Sequence, residues 1–451
     1  MPDHGMASGP ARPSFSGLAL ALFALLGAGC LVQAGEEEYD DEAVAEREDA
    51  IVVYKVGPSR QYKNLGQVAN LLQPGDVVEV DGDATYPSAL FTRNGTASSK
   101  ITVRGVRVNG KRPRLSGGTN TVELAGNHYL FEGFDITGGA SRCVFHHAHD
   151  ITLRDSVIHD CPSHGILGAD QDSGSLLMEY TEVYACGSGT TRHPVYIATD
   201  ESAYPGAVFR MQHCYIHDAI GGNAVKTRAE RNEIYYNWIE GGLYKELELI
   251  GPDGQNEALR REDSDVVGNV FRKVHNQFVV RVGGDGTGQS WGRYRFVNNT
   301  FLLKQGSSAA IHAFDGLESI EMHNNIFYRV GGGSVQVVRN DGDWATGSPI
   351  ITGTKNAMPQ GSTGTFGLSQ TLIQNNPGFV SEAALDFRLG PASPLCNIGV
   401  SVTQSPAGHA FPSPLALPLF HPRRGLQAVG SAAARPVSGG VDLGAFERPA
   451  L

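Results

Sequence analysis

The chain has 451 residues, 57 of them glycine, a formal net charge of −11 and only 18% charged side chains. Nine acidic residues against the single Arg47 between 36 and 49 carry most of that charge and leave −3 for the remainder. No basic surface therefore argues for nucleic acid as a partner.

Residues 1–29 read as an export signal. Arg12 supplies the basic charge, and Gly17 to Gly29 is an apolar run of 13 residues, long enough for a signal core and too short to span a bilayer. The run ends in Leu26-Gly27-Ala28-Gly29-Cys30, which resembles a bacterial lipoprotein cleavage site with Cys30 as the lipidated residue. The expectation is an exported protein at the cell surface or in the periplasm, held to a bacterial membrane through that lipid alone. Residues 30–49 are too acidic and too poor in apolar side chains to pack, and read as a disordered tether.

Residues 50–105 open the fold. Gln61 to Leu72 is amphipathic and is expected to form a short helix that covers the first coil, whose edge is otherwise unpaired. Pro74-Gly75-Asp76-Val77-Val78-Glu79-Val80 reads as a turn and a strand. Completed by Tyr86 and Ile101 to Gly105, this stretch resembles the entry of pectate-lyase-like β-helix proteins.

Residues 106–345 carry a repeat. An apolar residue is followed five positions later by another, eight times: Phe131/Ile136, Leu153/Ile158, Met178/Val183, Met211/Ile216, Ile234/Ile239, Val266/Phe271, Phe296/Phe301 and Met322/Phe327. Successive pairs recur about every 27 residues, the period of a solenoid coil. Two positions before the second member, the last four pairs hold Asn237, Asn269, Asn299 and Asn325. An amide recurring at one register can hydrogen-bond the copies above and below it. The units are rich in β-branched and aromatic residues and contain no long helical pattern. The fold expected is all-β, a right-handed parallel β-helix, one solenoid rather than several domains. Residues 346–451 are expected to pack along the solenoid or close its end, with an irregular loop at 353–370. A monomer is expected.

Cys161 and Cys186 occupy one register on adjacent coils, where parallel strands lie about 4.8 Å apart, within reach of a disulfide. That bond is expected, with two buried thiols as the alternative.

The outer face of such a helix is a grid of side chains. Aligning strands 194–198, 224–228 and 246–250 gives the outward columns Pro194-Ala224-Glu246, Tyr196-Lys226-Glu248 and Ala198-Arg228-Ile250. Arg281 and His312 extend the stripe and His193 flanks its start. Tyr196 offers a stacking plane and Arg228 a fork for a carboxylate. Cleavage or C5 epimerisation of a uronate needs a neutralised carboxylate, a base for the C5 proton and a proton donor. Lys226 is the candidate base, its pKa lowered by Arg228 and partial burial. Arg228 or Arg231 is the candidate for the carboxylate, and Tyr196 the candidate donor. His193, Glu246, Glu248, Arg281 and His312 are the candidate substrate contacts. The alternative is a glycan-binding or structural surface protein whose charges form a solvated ladder. The run Phe145-His146-His147-Ala148-His149 has no evident third metal ligand, and Asp170 with Asp172 is a weak calcium signal.

The block Lys226-Thr227-Arg228-Ala229-Glu230-Arg231-Asn232-Glu233-Ile234-Tyr235-Tyr236-Asn237 resembles one found in exported bacterial right-handed β-helix proteins. His193-Pro194-Val195-Tyr196 upstream, and Val267 to Phe271 and Val297 to Phe301 downstream, match the same group, so the likeness spans about residues 190–330. More distantly the block is similar to the lysine-bearing coil of chondroitinase-B-like and alginate lyases. That likeness implies a polysaccharide lyase with Lys226 as base and an acidic polysaccharide as partner; epimerisation stays a reading of the residues themselves. Calcium is the one cofactor it implies, bridging the substrate carboxylate; no metal-ligand set is assigned here. The positions that hold acidic ligands there are Ala219, Ile220, Gly221, Gly222 and Asn223 in this chain.

Overall fold

The structure, a computed structural model, describes residues 51–251, 262–286, 290–402, 404–413 and 417–448. The expected signal, the tether and Cys30 lie outside the described residues.

The chain winds as a right-handed parallel β-helix with three long faces, sheets of thirteen, twelve and ten strands among the described residues. One coil shows the plan. Arg231–Tyr235 lies in the thirteen-stranded sheet, Trp238–Glu240 in the twelve-stranded sheet, and Leu247–Ile250 in the ten-stranded sheet. The next coil repeats the order with each strand parallel to its predecessor.

The five-residue spacing is the signature of one corner. Its first members stack in register from Phe131 through Leu153, Met178, Met211, Ile234, Val266 and Phe296 to Met322. Its second members stack from Ile136 to Phe327 on the adjoining sheet. All sixteen are buried at 1% exposure or less.

Between the two members the chain must bend. The residue before each ladder position takes a left-handed backbone: Tyr236 (φ 57°), Gly268 (φ 68°), Asn298 (φ 52°) and Asn324 (φ 58°). The ladder asparagines themselves do not carry that angle; they hold the bend by their amides. The Asn237 side chain donates to Asn269 Oδ1, Asn269 to Asn299, and Asn299 to Asn325, each at 3.0 Å. The backbone N–H of each also donates to the next Oδ1. Asn356 continues the ladder one coil further.

Three expectations change. The helix expected over Gln61 to Leu72 is a single 3-10 turn at Leu65–Gln67; Leu65, Val68, Ala69 and Leu72 still plug the first coil. The stretch 353–370 is not irregular throughout, since Ile351–Thr354, Ala357–Met358 and Leu368–Ser369 add strands to the faces. The last coil strand is Leu372–Ile373, beyond 345. After it the chain lies along the twelve-stranded sheet, where Phe387, Leu389, Leu395, Leu443, Ala445 and Phe446 pack on Trp238, Val270, Leu302 and Ile326.

The disulfide is also different. Cys161 and Cys186 are register partners, but Cys161 is bonded to Cys143, with Cα atoms 5.9 Å apart. In-register side chains on parallel strands point the same way, about 4.8 Å apart, whereas disulfide Cβ atoms must converge to about 3.8 Å. Cys186 remains a buried free thiol, its pKa pushed up to about 12 by burial.

Candidate functional site

The ten-stranded sheet carries the expected column. Register pairs run Tyr196↔Lys226, Lys226↔Glu248, Glu248↔Arg281 and Arg281↔His312. Val195, Ile197, Val225 and Thr227, which alternate with these residues, are fully buried, as strand pleating requires.

Lys226 is the hinge of the cluster. Its Nζ lies 5.0 Å above the Tyr196 ring and 3.6 Å from Asp285 Oδ2. Burial and the neighbouring Arg228 lower its pKa; Glu248 and Asp285 oppose them. Arg228 is 2% exposed. Its Nε donates to the Tyr196 hydroxyl oxygen at 3.0 Å, its NH2 to Asp285 Oδ2 at 2.6 Å, and its NH1 to the Gly251 carbonyl. Arg228 is therefore a clamp that fixes Tyr196 and Asp285, not an open fork for a substrate carboxylate.

Glu248 is engaged by Lys245 Nζ at 3.0 Å, Arg281 NH1 at 3.3 Å and Asn223 Nδ2 at 2.6 Å. Lys245, Lys226 and Arg281 hold its pKa low in spite of burial. Arg281 also stacks over Phe314. His312 bonds Asp341 at 3.0 Å and stacks on Phe278, one coil beyond Arg281.

Two expected site residues lie elsewhere. Arg231 belongs to the thirteen-stranded sheet, because the chain turns through Ala229 and Glu230 onto another face. There it stacks over Phe411 and bonds Ser413. Glu246 precedes its strand and turns inward at the corner. It is fully buried, bonds Lys273 Nζ at 2.8 Å and has its pKa raised to about 7 by burial; it cannot meet a polymer. Ala198 and Ile250, expected outward beside Arg228, are buried too.

The expected His193 is 2% exposed, and the sequence reading missed its neighbour His164, 6% exposed. Their rings lie 5.9 Å apart, and each lies within 6 Å of the Tyr196 ring. Arg142 is the register partner of His164. Asp285 was also missed. The His164 signal was legible: His164-Gly165-Ile166-Leu167 and His193-Pro194-Val195-Tyr196 place His at one register on successive coils. Asp285 sits in a glycine-rich turn two coils after Lys226 and left no periodic trace.

Among the described residues, the carboxylates beside Lys226 that calcium would need are held by cations: Glu248 by Lys245 and Arg281, and Asp285 by Arg228 and Lys226. Among the described residues no group of three His, Cys, Asp or Glu is placed to hold a metal. The histidine run splits: His147 bonds Glu123, while His149 stacks on Tyr204. A separate cleft of about 440 Å³ lies between Trp238 and the C-terminal segment, and none of the expected site residues lines it.

Comparison with protein-family models and with curated proteins gives no match. Among solved structures the chain is similar to pectate lyase Pel9A, with TM-score 0.50 and 11% identity over 88% of this chain and 96% of that one. It is also similar to an alginate lyase from Paenibacillus sp. str. FPU-7, with TM-score 0.41 and 15% identity over 64% of this chain and 94% of that one. A PL6 family polysaccharide lyase, Pedsa3628 from Pseudopedobacter saltans, has TM-score 0.40 and 13% identity over 79% of this chain and 97% of that one. At such identities the likeness is one of fold alone, the parallel β-helix.

Proposed function

We propose that this chain acts on an acidic polysaccharide, abstracting the C5 proton of a uronate and expelling the 4-oxygen by β-elimination. The observation that carries this reading is the environment of Lys226. A lysine whose pKa is lowered by burial and by Arg228 stands over the ring of a tyrosine whose oxygen is held by that same arginine. The neutral amine takes the C5 proton, the C5 electron pair forms the C4–C5 double bond, and the C4–O bond breaks. Tyr196 gives its proton to the departing oxygen. The Arg228 N–H stabilises the tyrosinate until the proton returns from Lys226. Reprotonation at C5 from the opposite face, in place of elimination, would make the same site an epimerase.

The second reading, glycan binding without chemistry, is favoured by the ties on Glu248 and Arg228, which leave Tyr196, Lys226, Arg281 and Asp285 as partly exposed members of the cluster. The two readings part on turnover. Purified protein is incubated with polygalacturonate, alginate and glycosaminoglycans, and unsaturated uronate and C5 inversion are followed. Product formation that disappears in Lys226→Met supports the reaction. Retention of a polymer without product supports binding alone.

Export through residues 1–29 and anchoring through Cys30 would put the site where such polymers occur. Fractionation of cells that carry the full chain or its Cys30→Ala variant tests that step: loss of membrane association in the variant is expected.

A further inference from the structure

Beside the Lys226 column stand two histidines with identical constraints. His164 opens strand His164–Gly168, and His193 stands two residues before strand Val195–Ala198. The pairing Ile166↔Val195 sets the two in register. The His193 backbone N–H donates to His164 Nδ1 at 3.1 Å, and the Asn223 backbone N–H donates to His193 Nδ1 at 2.9 Å. A ring nitrogen that accepts an N–H carries no proton, so each neutral ring carries its proton on Nε2.

Neither Nε2 has a hydrogen-bond partner among the described residues. Both rings are nearly buried, and neither Nε2 is among the sealed unpartnered atoms of the described residues. The rings stay uncharged. Burial, then Arg192, Arg142 and Lys226, hold the His164 pKa at about 4; burial, then Lys226, hold that of His193 at about 3.

We propose that the His164 and His193 Nε2–H groups form a carboxylate subsite, each imidazole donating to one oxygen of the uronate that Lys226 deprotonates. The ring spacing of 5.9 Å suits two donors that share one carboxylate through bonds of about 2.8 Å. The inference rests on the reading of the Lys226 cluster as a uronate site and supplies what that site lacks once Arg228 and Arg231 are committed elsewhere. As the C5 proton leaves, negative charge flows into the carboxylate. Donors already oriented by the backbone stabilise that charge without reorganising.

A ring that only capped the backbone would not need Nε2. His164→Asn and His193→Asn keep an acceptor near the Nδ1 position and remove the Nε2 donor, so they separate the two roles. Each is placed in the full chain together with Lys226→Met, so that bound oligomer is not consumed. Calorimetry is done with galacturonate, mannuronate/guluronate and hyaluronan oligomers, and with the methyl ester of whichever oligomer binds. Unchanged thermal midpoints, with affinity for the free acid lowered about tenfold or more and affinity for the ester unchanged, are expected. Imidazole ¹⁵N spectra should show both Nε2–H tautomers and a shift of both on adding the acid. Unchanged affinity in both Asn variants, or no shift with any of the three oligomers, overturns the subsite. Turnover by the native chain with no imidazole response rejects the subsite and keeps Lys226 as base; an imidazole response without turnover does the reverse.

Discussion

Arg228 Nε donates to the Tyr196 hydroxyl oxygen at 3.0 Å across two adjacent coils. The two residues are 32 positions apart in sequence and are neighbours only because Ala198 and Arg228 are register partners. The bond has a direction: Arg228 donates and the tyrosine oxygen accepts. It also makes Arg228 a buried cation whose removal strips Asp285 of its 2.6 Å guanidinium partner, with Lys226 farther off at 3.6 Å. Arg228→Met is expected to cost about 3–5 kcal/mol, read as a lowered thermal midpoint. Asp285→Asn should cost less, since the amide oxygen still accepts from Arg228.

Lys226 is expected to set a pH limb. Its pKa lies below the ordinary lysine value, and Asp285 is one of the groups that oppose the lowering. The amine must be neutral to act as base, so the rate should rise as pH climbs through this lowered pKa and level off above it. Asp285→Asn removes an opposing charge and should move the limb to lower pH. A limb that stays in place, or moves up, contradicts the assignment of that limb to Lys226.

Glu262 predicts a pH dependence of stability. The residue is fully buried, and burial together with the Glu201 carboxylate raises its pKa well above the usual 4.5. Its folded pKa therefore exceeds its unfolded one, and the native state holds a proton that the unfolded chain releases. That stabilisation is complete below about pH 4.5 and is lost as pH rises toward the folded value. Glu262→Gln should flatten the decline and stabilise the protein at pH 7, as followed by urea denaturation at several pH values.

The asparagine ladder predicts a cooperative loss. Asn299 accepts from Asn269 and donates to both Asn325 and the Val266 carbonyl. Asn299→Ala orphans partners on both sides in a sealed interior and should cost about 2–4 kcal/mol. Thermal unfolding measures it, and a cost below about 1 kcal/mol would deny the ladder its structural role.

Peptide mapping should find Cys143 joined to Cys161, and Cys186 should stay unmodified by thiol reagents until the chain unfolds. Breaking the bond in Cys143→Ser opens a closed loop of sequence separation 18 and should cost about 3 kcal/mol.

The coils were legible because the apolar spacing is local and recurs. Each pair such as Ile234/Ile239 spans one corner, and its period fixes which residues become neighbours. The column from Tyr196 through Lys226 to Glu248 follows from that register alone. What failed was not fixed by strand register. Arg231 changed face because two residues of turn intervened, Glu246 turned inward at a corner, and the partner of Cys161 was set by the direction of Cβ rather than by register. Asp285 could not be found by periodicity, since it comes from a turn that the repeat does not constrain. His164 could have been found, for it repeats the position of His193 one coil earlier.

The most direct test compares Tyr196→Phe, Lys226→Arg and, as a control on a distant surface, Lys111→Met, each assayed for unsaturated uronate on the polymer that the native chain cleaves. The account predicts that the first two lose about 10²-fold or more with unchanged folding, while Lys111→Met, whose lysine pairs with Asp83 near the first coils, keeps native activity. Native rates in Lys226→Arg, or no cleavage of any acidic polymer by the native chain, would contradict it.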